Sequence, residues 1–269
     1  MSAEESDFAG FERLAIERRD DLLWVSLDNP ERANALSPAL LDELTDLYRR
    51  PLLDDGIRAL ILKANGRHFS AGADLAHLRS LRDAGPEENA VDSRRLMDLF
   101  EAVLRQETLT LALVHGSCVA GGCGLATAHD FVVSSQDARY LYSEVRIGFV
   151  AALVATYLSL RLRGSDIREL LLYPQFLSAE RALEIGLVNR VVPREELEQA
   201  GEELAAGILA NGSSRSIAST KRLLLDLPGR SLADGLRHAA EVNALARETD
   251  DCKRGIAHVL DHKRPPTWR

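Results

Sequence analysis

The sequence predicts an α/β fold, and three observations carry that prediction. Short apolar runs of strand length alternate with helical patterns along most of the chain. Two of those runs lead into glycine turns that open helices: Ala71-Gly72-Ala73 ahead of Leu75, and Gly121-Gly122-Cys123-Gly124 ahead of an alanine-rich segment. After Pro193 the strands stop. Helix then follows helix to a closing Lys263-Arg264-Pro265-Pro266, which cannot extend one.

Taken in order, LLWVSL (Leu22–Leu27) reads as a strand followed by the turn Asp28-Asn29-Pro30, and Ser37 with Pro38 gives the N-cap and first turn of a helix running to about Arg49. Residues 58–64 form a second strand, apolar enough to be buried on both faces. A loop over residues 65–74 leads into a short helix from Leu75. Residues 82–93 are polar, contain Gly85-Pro86, and read as a mobile loop. Residues 96–104 are an amphipathic helix, and the apolar run Leu109–Val114 is a buried strand. Further strands are expected at residues 131–134, 140–142 and 187–192. Helices are expected at residues 150–162 and from a Ser178 cap to about Ile185, and helical breaks at Asn211-Gly212, Pro228-Gly229 and Thr249-Asp250.

A strand, glycine turn and helix in succession place unpaired backbone N–H groups and the positive end of a helix dipole at one spot, and glycine lets a ligand come close. The two turns therefore offer the amides of Ala73 and Gly121 as donors to an oxyanion. Each such donor is typically worth ~2.7–4 kcal/mol of transition-state stabilisation. Periodicity does not say whether the turns face each other, and tight packing alone would also explain the glycines.

Other chemistries fit less well. A formal net charge of −8 argues against a nucleic-acid surface or an anionic membrane as the main partner. Residues 1–10 lack a basic stretch followed by an apolar core and no apolar run reaches membrane-spanning length, so a cytoplasmic location is expected. Three cysteines (Cys118, Cys123, Cys252) without ligand spacing are read as free thiols, not a zinc site. Gly122, Gly124 and Ala128 only half-match a dinucleotide fingerprint, and no Walker loop is present. His129-Asp130 and His115 with Ser117 suggest a dyad or a serine hydrolase, but no Gly-x-Ser-x-Gly elbow accompanies them. Asp74 reads as a helix cap, Tyr140 and Tyr142 as core or acyl-pocket residues, and His68 and His77 as solvated loop residues.

A set of motifs in fixed order resembles the crotonase (enoyl-CoA hydratase/isomerase) superfamily. They are Asn29-Pro30…Asn34-Ala35-Leu36, Phe69-Ser70-Ala71-Gly72-Ala73-Asp74-Leu75, Gly116…Ala120-Gly121-Gly122-Cys123-Gly124-Leu125-Ala126…Asp130, Ser143-Glu144-Val145-Arg146-Ile147-Gly148, Ser178-Ala179-Glu180…Gly186-Leu187-Val188 and Thr220-Lys221. The resemblance implies a ClpP/crotonase-like spiral of ββα units over residues 1–195. It also implies a C-terminal helical region, 196–269, that builds homotrimers, often paired into hexamers. The implied substrate is an acyl-CoA thioester with no further cofactor and no metal. Ala73 and Gly121 would form the oxyanion hole, backbone near Arg32, Ala33, Ala71 and Ala73 would hold the CoA, and Lys263 of a neighbouring subunit would reach its phosphates.

Family hydratases commonly carry two glutamates. The second falls on Glu144, between apolar and aromatic neighbours that would raise its pKa toward the range of a useful base; the competing reading is a surface carboxylate paired with Arg146 or Arg139. The first falls on Gly124, which has no side chain. A Pro-Gly-Gly-Gly turn of the family reads Phe149-Val150-Ala151-Ala152-Leu153 here, bulkier and apolar. The resemblance thus implies an enoyl-CoA hydratase/isomerase using Glu144. Hydration is the reading taken, and the alternatives are a dedicated single-glutamate isomerase or a non-catalytic acyl-CoA binder.

Overall fold

A computed structural model describes residue 8 and residues 10–268. The leader reading of residues 1–10 falls mostly outside them. The main sheet has six strands in the order β1 (Leu14–Arg19), β2 (Leu22–Leu27), β3 (Ala59–Ala64), β4 (Leu109–Val114), β6 (Phe131–Ser135) and β9 (Arg190–Val192). β1 is antiparallel to β2 and every later pairing is parallel. A smaller sheet joins β5 (Ser117–Val119), β7 (Arg139–Leu141) and β8 (Leu177–Ser178).

From β4 to β7 the chain alternates between these sheets, giving one strand to each per turn. After β4 it enters β5 and then helix α4 (Gly121–Thr127); after β6 it enters β7 and then a 3-10 turn, Glu144–Ile147. Following β3, Ser70 bridges Cys118 of the small sheet, and Ala73 bridges Leu36. This is the expected ββα spiral, built without an internal sequence repeat.

Helix α1 (Pro38–Arg49) starts where the Ser37 hydroxyl accepts the Leu40 N–H at 3.3 Å, and it buries Leu40, Leu41, Leu44 and Leu47. Helix α2 (Leu75–Leu81) buries nothing. Helix α3 (Pro86–Arg105) corrects the expected mobile loop: Pro86 is its first residue, and Glu88 reaches back to the Gly85 N–H at 3.1 Å. The Gly-Pro pair thus starts a helix and is no break. The helix expected over residues 150–162 is shorter, α5 (Ala152–Leu158), and α6 (Gly164–Leu172) follows it. Helix α7 (Ala179–Glu184) has its Ser178 cap.

Beyond Pro193 come α8 (Leu197–Asn211), α9 (Ser214–Asp226), α10 (Leu232–Glu248) and α11 (Asp250–His262). Leu197, Ala200, Ala205 and Leu209 of α8 join Trp24, Ile61, Leu111 and Leu113 in a core on one face of the main sheet. By contrast α10 and α11 bury no residue, and Leu232, Leu236, Leu245, Ile256 and Leu260 are exposed. Among the described residues no helix is long and apolar enough to cross a membrane.

Candidate active site

The two glycine turns lie against each other. The Ser70 N–H donates to the Ser117 carbonyl at 3.3 Å, and the Val119 N–H donates to the Ser70 carbonyl at 2.9 Å. Gly72 has φ +83°, and a Cβ there would stand 2.7 Å from the Val119 carbonyl oxygen. A Cβ on Gly122 would meet the Ser70 side chain at 2.7 Å. Glycine at both positions is what lets the turns touch.

That contact puts Ala73 one residue beyond Gly72 and Gly121 two residues beyond the facing Val119. The Gly72 carbonyl accepts the Leu36 N–H at 2.7 Å, so in a trans peptide the Ala73 N–H points away from Leu36. Gly121 opens α4, where the first amides have no helical acceptor. Neither amide donates to an acceptor among the described residues. Before Gly121 stands Ala120 at φ 48°, ψ −120°, a conformation that costs a residue with a Cβ on the order of 1–3 kcal/mol. Its own N–H is held by the Leu141 carbonyl at 2.7 Å.

Glu144 follows three residues after Leu141. One carboxylate oxygen is buried without a hydrogen-bond partner, and neither Arg146 nor Arg139 pairs with it: Arg146 donates to the Pro174 carbonyl and Arg139 to the Ser117 hydroxyl. Desolvation raises the Glu144 pKa above the ordinary 4.5, and its own and the Ser143 backbone N–H offset this only in part. The carboxylate is close enough to the Tyr157 hydroxyl to act on it electrostatically.

At Gly124 a side chain would have nowhere to go. A Cβ there would stand 2.6 Å from Phe100 Cζ, 2.7 Å from Val154 Cγ1 and 3.2 Å from the Tyr157 hydroxyl oxygen. The Tyr157 hydroxyl donates to the Gly124 carbonyl at 2.8 Å. Sequence reasoning found the missing acid at Gly124 but not the residues that fill its place, because Phe100, Val154 and Tyr157 come from α3 and α5 and share no motif with it.

The residues expected to hold CoA are partly gathered. Ala33, left-handed at φ 49°, accepts the Ala71 N–H at 2.9 Å, and Arg32 reaches the Asp74 carboxylate at 3.4 Å. Lys263 lies elsewhere, at the left-handed C-cap of α11. Asp74 is a cap: its carboxylate accepts the Ala76 and His77 N–H groups at 2.8 and 3.0 Å, and these hold its pKa below the usual value.

The other candidates dissolve into structure. His129 joins Tyr48 at 2.6 Å and the Leu125 carbonyl at 2.9 Å, while the Asp130 side chain takes the Thr110 N–H, so no dyad exists. Ser117 bonds Arg139, and His115 bonds the Gly66 carbonyl. Tyr140 and Tyr142 are buried. Two expectations need correction: His68 accepts the Ser117 N–H at 3.1 Å, and His77 meets Asp92 at 2.5 Å, so both rings are engaged instead of merely solvated. A cavity of about 490 Å³ between the ends of α1 and α3, lined by Tyr48, Arg49, Pro51 and Arg105 among others, contains none of the site residues. No cluster of three His, Cys, Asp or Glu able to hold a metal occurs among the described residues, and the three cysteines are free thiols.

A ββα spiral with a glycine turn at each of two strand–helix junctions defines a class of fold. The chain belongs to the enoyl-CoA hydratase/isomerase family, whose model matches residues 17–269. A relative in Thermus thermophilus named a putative enoyl-CoA hydratase is 45% identical over 248 residues, covering 91% of this chain and 96% of its own. The human mitochondrial Delta(3,5)-Delta(2,4)-dienoyl-CoA isomerase is 27% identical and covers 90% of this chain and 77% of its own. Among solved structures, an enoyl-CoA hydratase of Mycobacterium smegmatis superposes with a TM-score of 0.87 at 28% identity, over 96% of this chain and 99% of the other. The fold is the crotonase fold.

Proposed function

We propose that the chain adds water across the double bond of a 2-enoyl-CoA through a thioester enolate. The observation that carries this reading is the pair of uncommitted amides, Ala73 and Gly121, on turns bound to each other, with an unpartnered carboxylate oxygen on Glu144, just after the strand β7 that pairs with β5. In the proposed step a water oxygen bonds the β carbon as Glu144 takes its proton, and the π electrons move onto the thioester oxygen. The two amides hold that oxyanion. The enolate then collapses, and Glu144 returns the proton to the α carbon, ending as the carboxylate it began as.

The CoA is the carrier of the substrate, and no further cofactor is part of the proposal. Its pantetheine and adenine end would follow backbone at Arg32, Ala33, Ala71 and Ala73. A homotrimer, alone or paired into a hexamer, would cover the exposed leucines of α10 and α11 and bring a neighbour's Lys263 to the phosphates. The exposed apolar residues of two helices that bury nothing support that assembly. We place the enzyme in the cytoplasm.

The packing at Gly124 favours a second reading. One carboxylate can take a proton from the α carbon of a 3-enoyl-CoA and return it to the γ carbon, which is isomerisation without water. Incubating the protein with 2-enoyl-CoA and 3-enoyl-CoA in deuterated water separates the two. Hydration without a shift of the double bond supports the proposal, and a shift without hydration replaces it. Tight binding with no turnover of either thioester leaves a non-catalytic acyl-CoA binder.

A further inference from the structure

We propose that Tyr157 is a positioning residue of the reaction proposed above, its hydroxyl holding the first turn of α4 in place. The inference rests on that functional reading. The Tyr157 hydroxyl donates to the Gly124 carbonyl at 2.8 Å, although that carbonyl already accepts the Ala128 N–H at 3.0 Å. The bond is therefore not needed to satisfy the helix; it ties α5 to α4 one turn from the Gly121 amide. The ring is buried and meets Phe100 edge-on, centroids 5.7 Å apart at 76°, so the hydroxyl has little freedom to leave.

Glu144 is close enough to act on that hydroxyl electrostatically. A phenol has one proton to donate, and here Gly124 takes it. The nearby carboxylate oxygen thus gains no hydrogen bond from Tyr157 and stays basic, as its partnerless state requires. One side chain fills the place of the absent acid, ties down the turn that carries an oxyanion donor, and leaves the buried carboxylate oxygen without a partner.

Tyr157→Phe keeps the ring and removes the tether. With a 2-enoyl-CoA as substrate, kcat is expected to fall about tenfold while KM changes by less than about twofold, because the interaction lost is one that aligns the transition state. Phe100→Leu loosens the same packing without touching the hydrogen bond, and should keep kcat within about twofold of wild type. Circular dichroism of both variants is to match that of the wild type before their rates are compared. Equal loss of kcat in the two variants reduces Tyr157 to packing and overturns the inference. So does wild-type kcat in Tyr157→Phe when Glu144→Gln is inactive, and in both cases the functional reading stands. Full turnover in Glu144→Gln removes that reading and this inference with it.

Discussion

Gly72 approaches Val119 so closely that a Cβ added to it would stand 2.7 Å from the Val119 carbonyl oxygen. The two residues belong to the two turns that offer the Ala73 and Gly121 amides, so their contact fixes how those amides stand to one another. Gly72→Ala meets two penalties, the left-handed φ of +83° and the collision with backbone that cannot rotate aside. A loss of about 1–3 kcal/mol in stability is expected, measurable by denaturant unfolding. Displacing one oxyanion donor should lower kcat/KM by roughly 10²-fold or more. A variant with wild-type kcat/KM would falsify the oxyanion role of this turn.

Glu144→Gln separates catalysis from stability. Turnover should fall ~10²–10⁴-fold, the usual effect of deleting a positioned base. The fold should become more stable at neutral pH. Burial raises the folded-state pKa of Glu144, so its contribution is intact below the ordinary 4.5 and is lost as pH rises through the raised value. Glutamine has no charge to desolvate. In the wild type the acid limb of kcat/KM should lie above 4.5, since the base must be ionised. A thermal scan at pH 7 in which the variant melts below wild type contradicts the desolvation argument.

Much of this was legible in the sequence because strand, glycine turn and helix are local. Leu22–Leu27, Leu109–Val114 and the Ser37 and Ser178 caps stand where their residues put them. The first strand, Leu14–Arg19, was not legible: only two of its six side chains, Leu14 and Ile16, join the core, and its pairing with β2 does the rest. Gly85-Pro86 misleads because the same dipeptide breaks a helix or begins one, and the Glu88 side chain that decides the matter acts three residues on. At the site, Ala73, Gly121 and Glu144 were named from motifs. The contacts of Phe100, Val154 and Tyr157 at Gly124 bridge 24 to 33 residues, which no local pattern encodes.

His129 makes the fold sensitive to acid. Burial depresses its pKa to about 3, and its ring links Tyr48 to the Leu125 carbonyl. Below the ordinary 6.5 the unfolded chain takes up a proton that the folded chain refuses until about pH 3. Stability contributed by the neutral ring is therefore complete above 6.5 and drains away as pH falls, at up to about 1.4 kcal/mol per pH unit. His129→Gln removes that dependence while lowering stability at pH 7 through the lost Tyr48 contact. Unfolding curves between pH 7 and 4 test this, and parallel pH profiles for the two proteins would refute it.

Restoring the missing acid should fail. Gly124→Glu needs its Cβ where Phe100 Cζ lies 2.6 Å away and Val154 Cγ1 2.7 Å away, both on buried side chains packed from different helices. Overpacking of that kind typically costs about 1–3 kcal/mol. The new carboxylate would also be forced toward the Tyr157 hydroxyl, and the shift of either partner strains its bond to the Gly124 carbonyl. Turnover of 2-enoyl-CoA should thus drop instead of rising toward that of a two-carboxylate enzyme. Making room first, with Val154→Ala and Phe100→Leu beside Gly124→Glu, should recover part of the lost stability because the added atoms then have space. If the single variant folds as well as wild type and hydrates faster, the site has accommodated a second acid and the single-carboxylate scheme is wrong.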